Sequence, residues 1–307
     1  MYVNKVAKMR NLASENSYNL NTVYRIFLTF IFLFFLLGCR EPLMEVKENI
    51  FSAQDNTKTE NEFNCTIEAI TDWVLTNRFN KKSERILPGY VQIIYNDSTF
   101  MDLDGVEGML DFGAPGNSKP FGMLCSDGKY RSGRIRFKLN QHFEIPGAKL
   151  ELFCEAQDSF CSGSGDEMNS MTGLIIINNP DGMSILLSTE NLLFKDSQGF
   201  KTNWSCKRKL TLVKDAGQGV WGDIYSMEGI ASGTNRENEM YEVTIETPLI
   251  KKMELGCSKT FVTGSLSIKN LGSEKIILVD YDPFNDGRCD RIAEAEINGK
   301  KTIYKID

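Results

Sequence analysis

The sequence predicts a mainly β protein: an antiparallel meander or sandwich of about 12 to 14 short strands, with one short helix near the amino terminus. Three observations favour this fold class. Short apolar runs recur after Pro88, several of them alternate apolar and polar residues, and Gly, Asn, Asp and Pro separate them. Alternation with a period of two places the apolar side chains on one face of a strand. Many short strands separated by turns are typical of an all-β fold.

The amino-terminal segment has the pattern of an export signal. Arg25 precedes an apolar run from Ile26 to Leu37. The run has 12 residues, whereas about 20 are needed to span a bilayer, and it matches the apolar region of a signal peptide. We therefore expect residues 1–38 to be a signal peptide. Because the segment before the run is long, an internal start at Met9 and an extended leader both remain open.

The apolar run ends in Leu36-Leu37-Gly38-Cys39, which resembles the lipobox of bacterial lipoproteins. The resemblance implies cleavage before Cys39, attachment of lipid to its thiol, and acylation of the new amino terminus, for example by palmitate. Several acyl chains hold a protein at a membrane almost irreversibly, since each buried CH₂ contributes about 0.8 kcal/mol. We therefore expect a protein of the bacterial cell envelope, anchored by lipid at the outer membrane and facing either the periplasm or the cell surface.

The chain that remains after cleavage is acidic. The leader carries four basic residues and one acidic residue, so the net charge of −6 becomes −9 for the 269 residues from Cys39 onward. An acidic chain disfavours nucleic acid as a partner, because phosphates require a basic surface. It also disfavours direct electrostatic attachment to anionic lipid headgroups.

Two segments precede the strands. Residues 39–62 contain few apolar side chains, and such a segment cannot bury enough surface to offset the entropy of ordering it, so we expect a flexible tether. Residues 63–307 are the expected β-rich body. It opens with a helix from Cys65 to Phe79, in which Ile67, Ile70 and Val74 fall on one helical face, widened by Trp73.

Strands follow one another through the rest of the body. The alternation is clearest in Ile135–Leu139, and Asn298-Gly299 is the clearest hairpin turn. Several strands are preceded by a hydroxyl residue followed by Gly. This recurrence leaves open the hypothesis that the body contains two related β units, divided near residues 215–222. The predicted strands are Tyr90–Tyr95, Gly108–Phe112, Arg134–Leu139, Lys149–Glu155, Leu174–Ile177, Ser184–Leu187, Trp204–Val213, Ile224–Ala231, Tyr241–Thr247, Phe261–Ile268, Lys275–Tyr281, Ala293–Ile297 and Thr302–Ile306.

Several blocks of this region resemble a family of uncharacterised Bacteroidetes lipoproteins. They are Gly108–Gly113, Cys125–Ile135, Glu228–Asn235, Thr247–Leu249 and the carboxy-terminal stretch from Gly256-Cys257 to Asn298-Gly299. The resemblance covers residues 88–307 together with the lipobox. One departure is that Asp282 follows Tyr281 where the family has Gly. The resemblance implies an exported, β-rich lipoprotein and no particular reaction.

The cysteines are compatible with export. Besides Cys39 there are seven, at positions 65, 125, 154, 161, 206, 257 and 289, and an envelope compartment permits disulfides. The odd number leaves at least one thiol outside any internal pair. We expect a disulfide between Cys257 and Cys289, which begin and end the carboxy-terminal block. A Cys154–Cys161 pair and buried free thiols are the alternatives.

An acidic stretch near the carboxy terminus is the one group of residues that suggests a metal. Asp280, Asp282, Asp286 and Asp290 surround a Gly turn and offer the oxygen ligands that Ca²⁺ prefers. Their spacing does not match an EF-hand, and Asp is also common in turns that bind nothing. Calcium and a plain acidic turn both remain open. Apart from this calcium hypothesis, no cofactor is predicted.

No catalytic motif is recognisable. The only histidine is His142, in a polar stretch typical of a surface loop, so Ser-His-Asp and Cys-His arrangements have one available base. We therefore expect a non-catalytic binding or structural module with an unidentified glycan or protein partner. The alternative is a hydrolase or binding protein that acts on glycans through an Asp/Glu pair or through exposed aromatic residues, for which Trp204, Trp221 and Tyr241 are the candidates.

Overall fold

The structure is a computed structural model of the chain, and it describes residues 49–76, 91–97, 100, 104–125, 128–216, 222–254, 257 and 260–306. The expected signal peptide and Cys39 lie outside the described residues. From Asn49 onward the chain belongs to one compact unit. The described residues of this unit form one helix, sixteen strands and a 3₁₀ turn at Ala156–Asp158.

The helix, α1, spans Phe51–Thr76. The strands are β1 (Gln92–Asp97), β2 (Val106–Asp111), β3 (Met123–Leu124), β4 (Tyr130–Ser132), β5 (Arg134–Leu139), β6 (Ala148–Cys154), β7 (Cys161–Gly163), β8 (Met168–Asn179), β9 (Ser184–Lys195), β10 (Lys201–Lys214), β11 (Ile224–Thr234), β12 (Met240–Lys252), β13 (Thr263–Asn270), β14 (Ile276–Asp280), β15 (Ile292–Ile297) and β16 (Lys300–Lys305).

The strands form a single antiparallel sheet, which confirms the predicted mainly β fold. Its order is β1-β2-β5-β6-β8 and then β9 to β16 in sequence, with β3, β4 and β7 as a side branch on β8. Every predicted strand overlaps a strand of the main path, and the three unpredicted strands have only two or three residues each. The hairpin at Asn298-Gly299 is also confirmed, because both residues have positive φ and join β15 to β16.

The body is not divided into two β units. Strands β10 and β11 lie on either side of the expected boundary near residues 215–222, and they pair in register from Trp204 with Gly233 to Lys214 with Ile224. The strand pairing therefore continues across the whole described sheet. A repeated Gly before a strand reflects local bends and close approaches, not a second unit.

The predicted tether is wrong from Phe51 to Glu62, because these residues form the first half of α1. No residue from 51 to 70 is exposed. The prediction assumed that a polar segment stays in water, whereas several of its polar side chains, including Asn56 and Glu60, have buried partners in the sheet. The predicted helix from Cys65 begins fourteen residues too late, and its last three residues lie outside the described residues.

The sheet encloses the helix. Side chains of α1 contact strands as far apart in the sheet as β8, β10 and β16, through Glu62, Glu60 and Thr57 respectively. A helix that is buried on all sides by strands of one sheet lies on the concave face of that sheet. The core therefore consists of α1 and the inward-facing side chains of the strands, such as Leu150, Ile175 and Leu266.

The body has two ends, which the meander defines. The turns at residues 196–200, 235–239 and 271–275 lie at the same end as Asn49 and the start of α1, which we call the proximal end. The turn at residues 180–183 and the loop at residues 281–291 lie at the opposite, distal end. Alternate turns of an antiparallel meander necessarily share an end, since each strand reverses the direction of the previous one.

Candidate functional site: an open groove on the outer face of the sheet

The buried charges of the protein are used to hold α1 inside the sheet. Glu60 of the helix accepts a hydrogen bond of 2.8 Å from Nε of Arg208 on β10, and their side chains are 2 % and 1 % exposed. One turn earlier, Asn56 accepts a hydrogen bond of 3.0 Å from the Trp204 indole. Neither Nη atom of Arg208 has a hydrogen-bond partner among the described residues. Both side chains are buried beneath the sheet, so this part of the interface offers no accessible surface to a ligand.

Further pairs flank this centre. Asp55, near the start of α1, accepts hydrogen bonds from the Arg236 guanidinium and backbone. Farther along the helix, Glu62 pairs with Lys129 and Glu68 pairs with Lys251. Because each pair joins the helix to a strand or to a loop next to one, we interpret these ionisable residues as structural.

The outer face of the sheet carries an open groove of about 520 Å³. That volume lies within the range of roughly 300–1,000 Å³ found for small-molecule sites. Side chains of β10 point alternately to the two faces of the sheet: Cys206 and Arg208 are buried on the inner face, whereas Lys207 and Lys209 are exposed on the outer face. The groove is lined by Asn178, Leu186, Leu187, Ser188, Lys207, Arg208, Lys209, Glu228 and Gly229.

The strand register arranges the groove residues in rows. Asn178, Leu186, Lys209 and Glu228 are successive register partners across β8, β9, β10 and β11. Four neighbouring strands about 4.8 Å apart make this row about 14 Å long. A second row lies two residues away from the first along β9 and β10, and in it Ser188 and Lys207 are register partners. An elongated ligand can therefore lie across the strands between the rows.

Gly229 shapes the floor of the groove. Its φ is +127°, and a Cβ added there would lie 2.1 Å from the carbonyl oxygen of Lys207. The β11–β12 register shifts between Met227 and Ile230, which marks a bulge at this position. Bulges bend a strand and change the direction of a side chain, and they are frequent beside functional sites. The bulge directly follows Glu228, so it sets the position of the one carboxylate in the groove.

The groove combines two lysines with one carboxylate, one hydroxyl, one amide and an exposed leucine. Such a set can bind a polar ligand that carries an acidic group, through charge-assisted hydrogen bonds. The turn beside it is well ordered by Asp181, which accepts hydrogen bonds from the backbone N–H groups of Met183 and Ser184 and from the Ser184 hydroxyl. These bonds lower the pKa of Asp181 to about 2.

The predicted cysteine pair is confirmed. Cys257 and Cys289 lie at disulfide distance, with their Cα atoms 4.9 Å apart. The alternative pair does not form, and both Cys154 and Cys161 are free thiols. Their register partners on β8, Gly173 and Ser170, are three residues apart, which is about 10 Å along a strand. A disulfide cannot bridge Cα atoms more than about 7 Å apart.

The acidic stretch does not assemble a metal site in the part of the chain that the structure describes, where no three His, Cys, Asp or Glu side chains converge. Its carboxylates instead accept backbone hydrogen bonds within their own turns. Asp280 accepts one from Asp282, Asp282 accepts one from Asp286, and Asp290 accepts one from Ile292. These hydrogen bonds stabilise the turns, and calcium binding stays a prediction.

The other predicted candidates do not meet at a common site. His142 is exposed in the loop between β5 and β6, and its ring centroid is 4.3 Å from that of Phe100. Trp204 and Tyr241 are each 1 % exposed beneath α1, so neither offers an exposed surface for a glycan. Trp221 lies outside the described residues. Sequence reasoning missed the groove, because its residues come from four strands whose register the sequence does not state.

Comparisons with known proteins give no assignment. No protein-family model matches the chain, and neither the curated proteins nor the solved structures contain a match. None of the described helices is long and apolar enough to cross a membrane.

Proposed function

We propose that this protein is a lipid-anchored, non-catalytic binding module of the bacterial cell envelope, at the outer membrane. The observation that carries the anchoring is the apolar run Ile26–Leu37 followed by Leu36-Leu37-Gly38-Cys39. The disulfide between Cys257 and Cys289 supports an oxidising compartment outside the cytoplasm.

The groove on the outer face supports a binding role. Its volume of about 520 Å³ and its length of about 14 Å suit a short, elongated ligand. Lys207 and Lys209 are exposed cationic groups on an acidic protein, so they favour a ligand with a carboxylate. We propose a carboxylated oligosaccharide as this ligand, with Ser188 and Asn178 as hydrogen-bonding partners of its hydroxyl groups.

Lipid attachment is tested by metabolic labelling with a fatty acid in a bacterial host, followed by intact-mass measurement. The wild type is expected to be cleaved before Cys39 and to carry lipid. The Cys39→Ala variant is expected to remain uncleaved and unlabelled. An unlabelled wild type of full-length mass would contradict the anchoring proposal.

Ligand binding is tested on an array of neutral and uronate-containing oligosaccharides. We expect the wild type to bind uronate-containing members, and the Lys207→Ser/Lys209→Ser variant to lose that binding. Lys269→Ser is the matched control, because Lys269 is also an exposed lysine on an outer strand face but lies on β13, away from the groove. Equal binding by both variants would show that the groove is not the site.

A further inference from the structure

The proximal end of the body is built around the first residues of α1. Asn49 donates a hydrogen bond of 2.8 Å to Glu237 in the β11–β12 turn. The Arg236 guanidinium in the same turn lies 4.8 Å from the ring centroid of Phe51 and 5.6 Å from that of Phe200 in the β9–β10 turn. Asn49 and Phe51, at the start of the described chain, therefore lie beside these two turns.

Exposed apolar side chains border this entry point. Phe200 is 43 % exposed although the Arg236 guanidinium faces its ring, and Met240 is 56 % exposed at the start of β12. Leu271, whose N–H bonds to the carbonyl of Met240, is also exposed. The exposed Lys195 and Lys201 are register partners at the base of the β9–β10 turn. Aromatic and aliphatic side chains bordered by lysines are typical of surfaces that lie in a lipid headgroup region.

The length of chain between Cys39 and Asn49 indicates which end of the body can face the membrane. Ten residue steps separate Cys39 from Asn49, so the chain between them extends at most about 35 Å. The 26-residue helix α1 makes the body about 39 Å long in the same direction. If the distal end rested on the membrane, Asn49 would be farther from it than the chain can extend.

We propose that the proximal end, through Phe200, Met240 and Leu271, lies against the lipid surface in which Cys39 is anchored. This inference rests on the proposed lipid attachment. The distal end also exposes apolar side chains, including Met183 at 77 % and Phe284 at 55 %, so apolar exposure alone does not distinguish the ends. The covalent connection does. The membrane-bound orientation directs the distal turns away from the lipid.

The experiment compares two exposed phenylalanines at opposite ends. Phe200 or its matched control Phe284 is replaced by photoreactive p-benzoylphenylalanine in the full-length chain, which is expressed with its own leader in a bacterial host. Isolated membranes are irradiated, and lipid adducts on the protein are counted by intact mass. We expect about tenfold more phospholipid adduct at position 200 than at position 284, because only the proximal residue contacts lipid. The same replacement at Met240 repeats the proximal measurement if the variant at position 200 is degraded.

The outcomes separate this inference from the proposed function. A protein that carries lipid on its amino terminus but gives equal adduct yields at both ends, or more at position 284, overturns the orientation and leaves the anchor intact. A protein whose mass shows no lipid on its amino terminus overturns the anchor, and the orientation with it. A proximal excess on a lipid-bearing protein supports both.

Discussion

The buried pair of Glu60 and Arg208 gives the sharpest test of how the helix is held. Glu60→Gln keeps the volume and one hydrogen-bond acceptor but removes the negative charge. Arg208 then remains as an uncompensated cation at 1 % exposure, with neither Nη atom hydrogen-bonded among the described residues. Removing one partner of a buried pair costs about 3–5 kcal/mol, and a typical domain has only about 5–15 kcal/mol in total.

The assay is urea unfolding of the purified mature protein, followed by circular dichroism. We expect Glu60→Gln to lower the free energy of unfolding by about 3–5 kcal/mol. Glu107→Gln is the matched control, because Glu107 pairs with Lys138 on the surface, where both side chains are more than 40 % exposed. An exposed pair contributes about 0–1 kcal/mol.

A double variant separates the loss of the ion pair from the burial of a lone charge. Glu60→Leu combined with Arg208→Met replaces both charges with apolar side chains, and such replacements are often neutral or stabilising. We expect it to recover most of the stability that Glu60→Gln loses. If Glu60→Gln unfolds within 1 kcal/mol of Glu107→Gln, the interpretation of α1 as held by buried charge is wrong.

Three other predictions concern the sheet and its cysteines. Reduction of the Cys257–Cys289 disulfide should lower the free energy of unfolding by about 3.7 kcal/mol, the value that the chain-entropy model gives for a sequence separation of 32 residues. Equal urea midpoints with and without reductant would contradict this. Gly229→Ala should lower the free energy of unfolding by more than about 2 kcal/mol, because its Cβ would meet the Lys207 carbonyl. At Gly287 no atom lies within 4 Å of an added Cβ, so Gly287→Ala should lower it by about 1 kcal/mol. Equal shifts in melting temperature for the two variants would refute the close approach at Gly229. Burial raises the pKa of the Cys206 thiol from 9.0 to about 12. As the pH rises, the unfolded chain therefore loses this proton first, and the free energy of unfolding should fall between about pH 9 and pH 12. Urea midpoints measured across this pH range should fall less for Cys206→Ala than for the wild type, and identical pH profiles would contradict the prediction.

The sequence predicts the strands well and the helix poorly, for one physical reason. Strand patterns are local: the alternation in Leu266–Ile268 and the Asn298-Gly299 turn are each visible within a few residues. The partner that buries Glu60 is 148 residues away, so nothing near Glu60 in the chain indicates that it is buried. The same limit hid the groove. Lys209 and Glu228 become neighbours only through the register of β10 and β11.

The leader and Cys39 stay predictions, as do the absence of catalysis, the ligand and the envelope location. The sequence motif supports the anchor, and the fold adds a disulfide and an outer-face groove. The calcium hypothesis also stays a prediction, although the Asp282 carboxylate accepts backbone hydrogen bonds within its own turn. Burial excludes Trp204 and Tyr241 as an exposed aromatic platform, whereas Trp221 lies outside the described residues.

The enclosure of α1 also dictates an order of folding. Thr57 of α1 shares a hydrogen bond with Tyr304, 247 residues later in the chain, so α1 completes its contacts only after β16 has been synthesised. The hairpins between neighbouring strands are local and can form early, whereas contacts between distant parts of a chain form slowly. A helix that must wait for its enclosure leaves the emerging chain without a finished core. For the exported protein that we propose, the core would therefore form only after the carboxy-terminal strands have crossed the membrane.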